Sequence, residues 1–161
     1  MKKLILLCVI SIFISCNSVA QKKPKKITDT YKVTKTDAQW KIQLTEIEYS
    51  VLRESGTERA FSSPLNKNYS DGTYICAACQ TPLFLSDYKY DSGSGWPSFD
   101  REIEGNVAFS SDIDLGYTRT EEHCATCGGH LGHVFNDGPK NSTGKRHCVN
   151  GASLTFIPKN E

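Results

Sequence analysis

A mainly β domain with one or two helices in front is what this sequence predicts, on three observations. Beyond Gly56, short runs rich in β-branched and aromatic residues alternate with clusters of turn residues. Ahead of Gly56, residues 37–52 carry apolar side chains at loosely helical spacing. Two Cys-x-x-Cys units, 44 residues apart, sit inside the β part and suggest a clip between distant strands. The length of 161 residues suits one domain, and 38% AVILMFWYC fills one modest core but not a polytopic membrane protein.

The elements follow in chain order. Met1-Lys2-Lys3 precedes eleven mostly apolar residues, 4–14, and then Ser15-Cys16. This is the pattern of a signal peptide, and the run is too short to span a bilayer as a mature helix. Ile14-Ser15-Cys16 fits a lipobox, which makes 1–16 a leader and Cys16 a lipid-bearing residue, although Phe13 is bulky where Leu is usual. Cleavage after Ser18-Val19-Ala20 is the alternative. Either way the chain is expected to be exported to the cell envelope, and with the lipid it is tethered to a membrane in the periplasm or at the cell surface. Residues 17–36 are Lys-rich and hold Pro24, so they read as a basic, extended linker.

Charge divides at the same place. Residues 1–36 hold 8 Lys and 1 acid; residues 37–161 hold 11 Lys+Arg and 17 acids, a net −6. A nucleic-acid binder needs its basic excess on the folded part, so that class is excluded. The folded part, 37–161, opens on Asp37 as a helix N-cap, with Thr45 a second cap candidate before Ile47, Tyr49, Val51 and Leu52. Strands are expected at 74–76, 83–85, 107–109, 133–135 and 153–157, separated by turn clusters such as Ser70-Asp71-Gly72 and Asn136-Asp137-Gly138-Pro139.

Cys76-Ala-Ala-Cys79 and Cys124-Ala-Thr-Cys127 are two knuckles that together complete a tetrahedral sulfur shell for zinc. Four filled positions leave none open for catalysis, so the site is structural. Two disulfides, or a redox-active pair, are the competing readings, although the βαβ context of a redox pair is missing. With Cys8 and Cys16 in the leader, Cys148 stands alone in Arg146-His147-Cys148-Val149-Asn150. A lone cysteine is usually a small buried hydrophobe. Its neighbours Arg146 and His147 favour a lowered pKa and nucleophilic chemistry, and Asn150 would point the same way along a strand. His130, His133 and His147 fall within 18 residues and suit proton donation near a pocket; His123, beside Cys124, is read as a bystander. In Asp91-Ser-Gly-Ser-Gly-Trp96-Pro-Ser-Phe99, glycines and a proline brace a tryptophan that either walls a pocket for a methyl group or plugs the core.

These residues together resemble the methionine-R-sulfoxide reductase family over about residues 37–158. The motifs that carry the resemblance are Gly56-Thr-Glu-Arg-Ala-Phe61, Gly72-Thr-Tyr-Ile-Cys-Ala-Ala-Cys79, Ser92-Gly-Ser-Gly-Trp-Pro-Ser-Phe99, Cys127-Gly-Gly-His-Leu-Gly-His-Val-Phe135 and Arg146-His-Cys-Val-Asn150. The resemblance implies two small antiparallel sheets, described as a tent or SH3-like barrel, and one structural zinc. It implies that Cys148 attacks the sulfoxide and becomes a sulfenic acid, with His133 the proton donor, His130 and Asn150 assisting, Trp96 holding the methyl and Arg146 stabilising the thiolate. The implied substrates are oxidised proteins carrying methionine-R-sulfoxide, the implied reductant a thioredoxin-like or other thiol, and the enzyme is expected to act as a monomer. Two positions depart. Ser94 stands where many relatives have a resolving cysteine, so no internal disulfide is expected. His147 and Gly151 replace an aromatic residue and a serine.

Overall fold

Two threonines open the helical part. Thr36 and Thr45 each accept from the backbone N–H three residues on, while the side chains of Gln39 and Glu48 accept from the cap's own N–H. These capping boxes start two short helices, α1 (Asp37–Gln43) and α2 (Glu46–Glu54). The cap is therefore Thr36 and not Asp37. A box needs Glu or Gln at the third position, which Thr36 has in Gln39, whereas Asp37 has Trp40 there. Leu44 is extended (φ −99°, ψ 146°), so the apolar stripe is split between two helices. Trp40, Leu44, Val51 and Leu52 are buried, while Ile47 faces solvent.

The computed structural model describes residues 31–113 and 115–160; the leader, with Cys8 and Cys16, and linker residues 17–30 lie outside them. Nine strands follow the helices among the described residues: β1 (Gly72–Cys76), β2 (Pro82–Leu85), β3 (Lys89–Tyr90), β4 (Ser98–Phe99), β5 (Val107–Asp112), β6 (Arg119–Cys124), β7 (His130–Phe135), β8 (Arg146–Val149) and β9 (Leu154–Pro158). They form two antiparallel sheets, one ordered β2-β1-β9 and the other β3-β4-β8-β7-β6-β5. The five expected strands are all present. β3, β4, β6 and β8 are added, and β8 carries Cys148.

Side chains from both sheets meet in one core. Tyr74 and Phe84 from the first sheet and Phe99, Leu131 and Val149 from the second are fully buried. Phe84 stacks on Phe99 with centroids 4.3 Å apart, and Tyr74 meets Phe99 edge-on at 5.0 Å. Such pairs add about 0.5–1.5 kcal/mol each beyond the area they bury. The end of the region read as linker is seated here too. Val33 donates its N–H to Thr126 O at 3.0 Å, and the Tyr31 ring lies edge-on to His123. Gly128 (φ +69°) makes room for that ring, since a Cβ there would lie 2.3 Å from it.

Candidate active site and metal centre

Strand register gathers the polar residues on one face. Across the larger sheet Ser98 pairs with Cys148, Cys148 with His133, and His133 with Glu121. Residues opposite one another in antiparallel strands project to the same side, and the next residue along projects to the other. His147 accordingly turns away from the thiol. It is fully buried, donates from Nδ1 to Glu122 Oε2 at 2.7 Å, and has Nε2 3.2 Å from Glu102 Oε2.

Arg146, two residues before Cys148, shares its face. Its guanidinium donates to both carboxylate oxygens of Asp137, at 2.8 and 2.9 Å, and lies 4.4 Å from the Phe135 ring centre. Burial pushes the Cys148 thiol above its ordinary pKa; the Ser94 hydroxyl, 3.8 Å from Sγ, and the Arg146 charge pull it back down. The expected low thiol pKa is thus opposed by desolvation.

Each neighbouring histidine has its own carboxylate. His133 donates from Nε2 to Asp112 Oδ2 at 2.6 Å, and Arg119 donates to the same oxygen. His130, only 4% exposed, donates from Nδ1 to Glu121 Oε1 at 2.8 Å and meets His133 edge-to-face at 5.5 Å. Both rings line a cleft of about 390 Å³, together with Glu121, Asp112 and Arg119. The His130 Nε2 atom is buried and has no hydrogen-bond partner among the described residues. A carboxylate on one ring nitrogen fixes the ring's orientation, which suits proton donation at a defined place.

Trp96 is half-buried. Its Nε1 donates to Glu58 O at 3.1 Å, and part of the indole is accessible. Glu58, buried itself, accepts from Gly151 N at 2.6 Å and Ala152 N at 3.0 Å, while its own N–H donates to Asn150 Oδ1 at 3.0 Å. Desolvation raises the Glu58 pKa and these two backbone donors oppose the rise. Asn150 also donates to Leu131 O at 2.9 Å. Its amide therefore ties the chain after β8 to β7 and to Glu58, a positioning role set beside the direct assistance implied by resemblance. Gly151 is explained by Ser63: a Cβ at Gly151 would lie 2.0 Å from Ser63 Oγ, so a hydroxyl from another loop fills that volume.

Phe61 completes the rim of the tryptophan loop. It holds φ +64°, an outlier for an aromatic residue, and donates its N–H to Gly95 O at 2.7 Å. Its ring is 67% exposed, and a Cβ at Gly95 would lie 2.9 Å from it. Glu58, Phe61, Asp112 and Glu121 were not singled out for roles in the sequence. The first two lie inside a quoted motif; the two carboxylates are set by strand register, which leaves no local signal.

The other four described cysteines converge at the junction of the sheets. Cys76 ends β1, Cys124 ends β6, and the Sγ atoms of Cys76, Cys79, Cys124 and Cys127 all lie within 4.8 Å of one another. The Cys76–Cys127 and Cys79–Cys124 separations are 3.7 and 3.5 Å. Sulfurs at a zinc–sulfur distance of about 2.3 Å in a tetrahedron are about 3.8 Å apart, so the set fits that ion. A disulfide needs about 2.0 Å, and none of the four is in one. Hydrogen bonds from the other three sulfurs, with burial, push the Cys76 thiol far up, so four thiolates coexist only around a cation.

Comparison with known proteins converges on the same reading. A SelR domain model matches residues 44–158. The chain is 55% identical to the peptide methionine sulfoxide reductase MsrB of Leptospira interrogans over 127 residues, 78% of this chain and 96% of that protein. It is 53% identical to the protein of the same name from Agrobacterium fabrum over 128 residues, 79% and 94% of the two chains. The match to the Bradyrhizobium diazoefficiens MsrB is 50% over 135 residues, 83% and 96%. With a family model spanning most of the folded part and relatives matched over nearly their whole length, the chain belongs to the SelR-domain family of MsrB-type methionine-R-sulfoxide reductases.

Proposed function

We propose that this chain reduces methionine-R-sulfoxide in polypeptides to methionine, with Cys148 as the nucleophile. The observation that carries the reading is that Cys148 pairs directly across from His133, with Ser94 of the Trp96 loop 3.8 Å from its sulfur. The Cys148 thiolate attacks the sulfoxide sulfur while its oxygen takes a proton from His133, held by Asp112, with His130 and Glu121 alongside. The hydroxyl then passes to the Cys148 sulfur as the S–O bond and the new S–S bond both break, so methionine leaves with two added electrons and Cys148 is left as a sulfenic acid. Trp96 receives the methyl and so selects the R epimer. The exposed Phe61 ring offers apolar surface to the polypeptide flanking the residue.

Regeneration needs thiols from outside. The remaining described cysteines are the tetrad. One thiol of a thioredoxin-like protein, or a small thiol, displaces hydroxide from the sulfenic acid as water and forms a mixed disulfide; a second thiol releases Cys148. Cys76, Cys79, Cys124 and Cys127 hold one zinc ion, which supplies structural cross-linking and no chemistry of the step. The leader pattern supports export, with a lipid on Cys16 as the tether and the enzyme acting on proteins of the cell envelope. Cys16→Ala then releases the protein from membranes or leaves an uncleaved precursor, whereas a mature N-terminus at Gln21 would exclude the lipid.

The test of function is turnover of a sulfoxide peptide with dithiothreitol, each epimer supplied separately, beside free methionine sulfoxide. Production of methionine from the R peptide supports the reading. No methionine would make the domain a binding module built on Trp96 and the histidines, and faster turnover of the free amino acid would change the substrate class.

A further inference from the structure

We propose that Ser94 is a further catalytic residue: its hydroxyl donates a hydrogen bond to the Cys148 thiolate. This rests on Cys148 being the nucleophile. The loop after β3 folds back over β8, bringing Ser94 Oγ within 3.8 Å of Cys148 Sγ. Two more hydroxyls stand behind it. Ser92 Oγ is 2.8 Å from Ser94 Oγ and 2.7 Å from Ser98 Oγ, and Ser98 Oγ donates to Trp96 O at 3.2 Å.

A hydroxyl has one proton and two acceptor positions, so the chain has a direction. The Ser98 proton is committed to Trp96 O, so Ser98 accepts from Ser92. The Ser92 proton is thereby spent. The Ser94 proton then has two destinations, Ser92 Oγ or the Cys148 sulfur. With Cys148 a thiol, S–H donates to Ser94 and the Ser94 proton rests on Ser92. With Cys148 a thiolate, the Ser94 proton swings to sulfur. The hydroxyl follows the charge without any backbone movement.

The site needs such a donor. Burial disfavours the thiolate, and the Arg146 fork is already engaged by Asp137 through both carboxylate oxygens, so Arg146 acts chiefly through its charge. Arg146 on its own strand, Glu122 on β6 and Tyr90 on β3 act on the Cys148 charge, and His133 on β7 faces it across the strand. Of these Arg146 favours the thiolate and Glu122 opposes it. A neutral hydroxyl favours the anion without adding a charge that the departing methionine must pass.

The experiment follows alkylation of Cys148 by iodoacetamide against pH in the zinc-loaded protein, with the modified residue identified by peptide mass mapping. Ser94→Ala should move the midpoint about one unit higher and slow alkylation at neutral pH about tenfold. Ser94→Thr keeps the hydroxyl and should restore the wild-type profile. Ser92→Ala removes the competing acceptor, so it should not raise the midpoint. An unchanged profile in Ser94→Ala, equal shifts in Ser94→Thr and Ser94→Ala, or a Ser92→Ala shift matching that of Ser94→Ala would each overturn the proposal. Peptide turnover by the wild type, run in parallel, separates failure of the Ser94 role from failure of the reductase reading.

Discussion

Cys148 sits where burial, a hydroxyl and a cation pull its proton in different directions, with a histidine–carboxylate pair across the strand. A serine at 148 would have no base strong enough to make its alkoxide, so Cys148→Ser should lose at least ~10³ of turnover in a sulfoxide peptide assay. Substantial residual rate would move the nucleophile elsewhere. Glu58 acts at one remove, through the backbone it caps. Glu58→Gln leaves the backbone acceptor for Trp96 but only one side-chain carbonyl for the N–H groups of Gly151 and Ala152. Leaving one buried donor unmatched should cost about 1–3 kcal/mol in urea unfolding. Cys148, His133, Trp96 and Arg146 stand out in the sequence because each sits in a compact motif of unusual composition, and strand register brings Cys148 across from His133. The place of His147 was not legible: its neighbours in sequence suggest a role at the thiol, but strand alternation sends it to Glu122 on the opposite face.

At the scale of elements, the β7–β8 pair sets Cys148 across from His133, and its closeness depends on Gly132. A Cβ at that position would lie 2.0 Å from Cys148 O, and backbone cannot yield as a side chain tip can. Gly132→Ala should therefore destabilise the fold by about 1–3 kcal/mol and lower turnover as well, by shifting Cys148 against His133. Thermal melting and peptide kinetics on the same sample check both. Five strands were visible as β-branched and aromatic runs. β6 was not, because Arg-Thr-Glu-Glu-His-Cys reads as a solvated stretch. Glu122 is fully buried against His147 and Glu121 is held by His130, partners that exist only once distant strands are in register. β3 and β4 are two residues each, too short to show a period. The helix boundary was misplaced by one residue for a local reason, the Gln39 partner that selects Thr36.

At the scale of the molecule, the cysteine tetrad joins the end of a strand in one sheet to the end of a strand in the other. Cys76→Ser or Cys127→Ser should lose zinc and lower the melting temperature by roughly 10 °C or more, several kcal/mol for a domain of this size. A metal-free protein with unchanged melting would remove the clip from the account. The tetrad was the most legible feature of all, since its spacing is sufficient to suggest it. The seating of Tyr31 and Val33 was the least, because two apolar residues in a lysine-rich stretch do not outweigh its composition. A single turnover tests most directly whether reduction uses Cys148 alone. One equivalent of R-sulfoxide peptide is added to the zinc-loaded protein without reductant but with dimedone, and every cysteine is then mapped by mass spectrometry. One methionine formed per enzyme, a dimedone adduct on Cys148 and retained zinc are the expected outcome. A disulfide from Cys148 to Cys76, Cys79, Cys124 or Cys127 with zinc released, or an unmodified Cys148 after turnover, would contradict it.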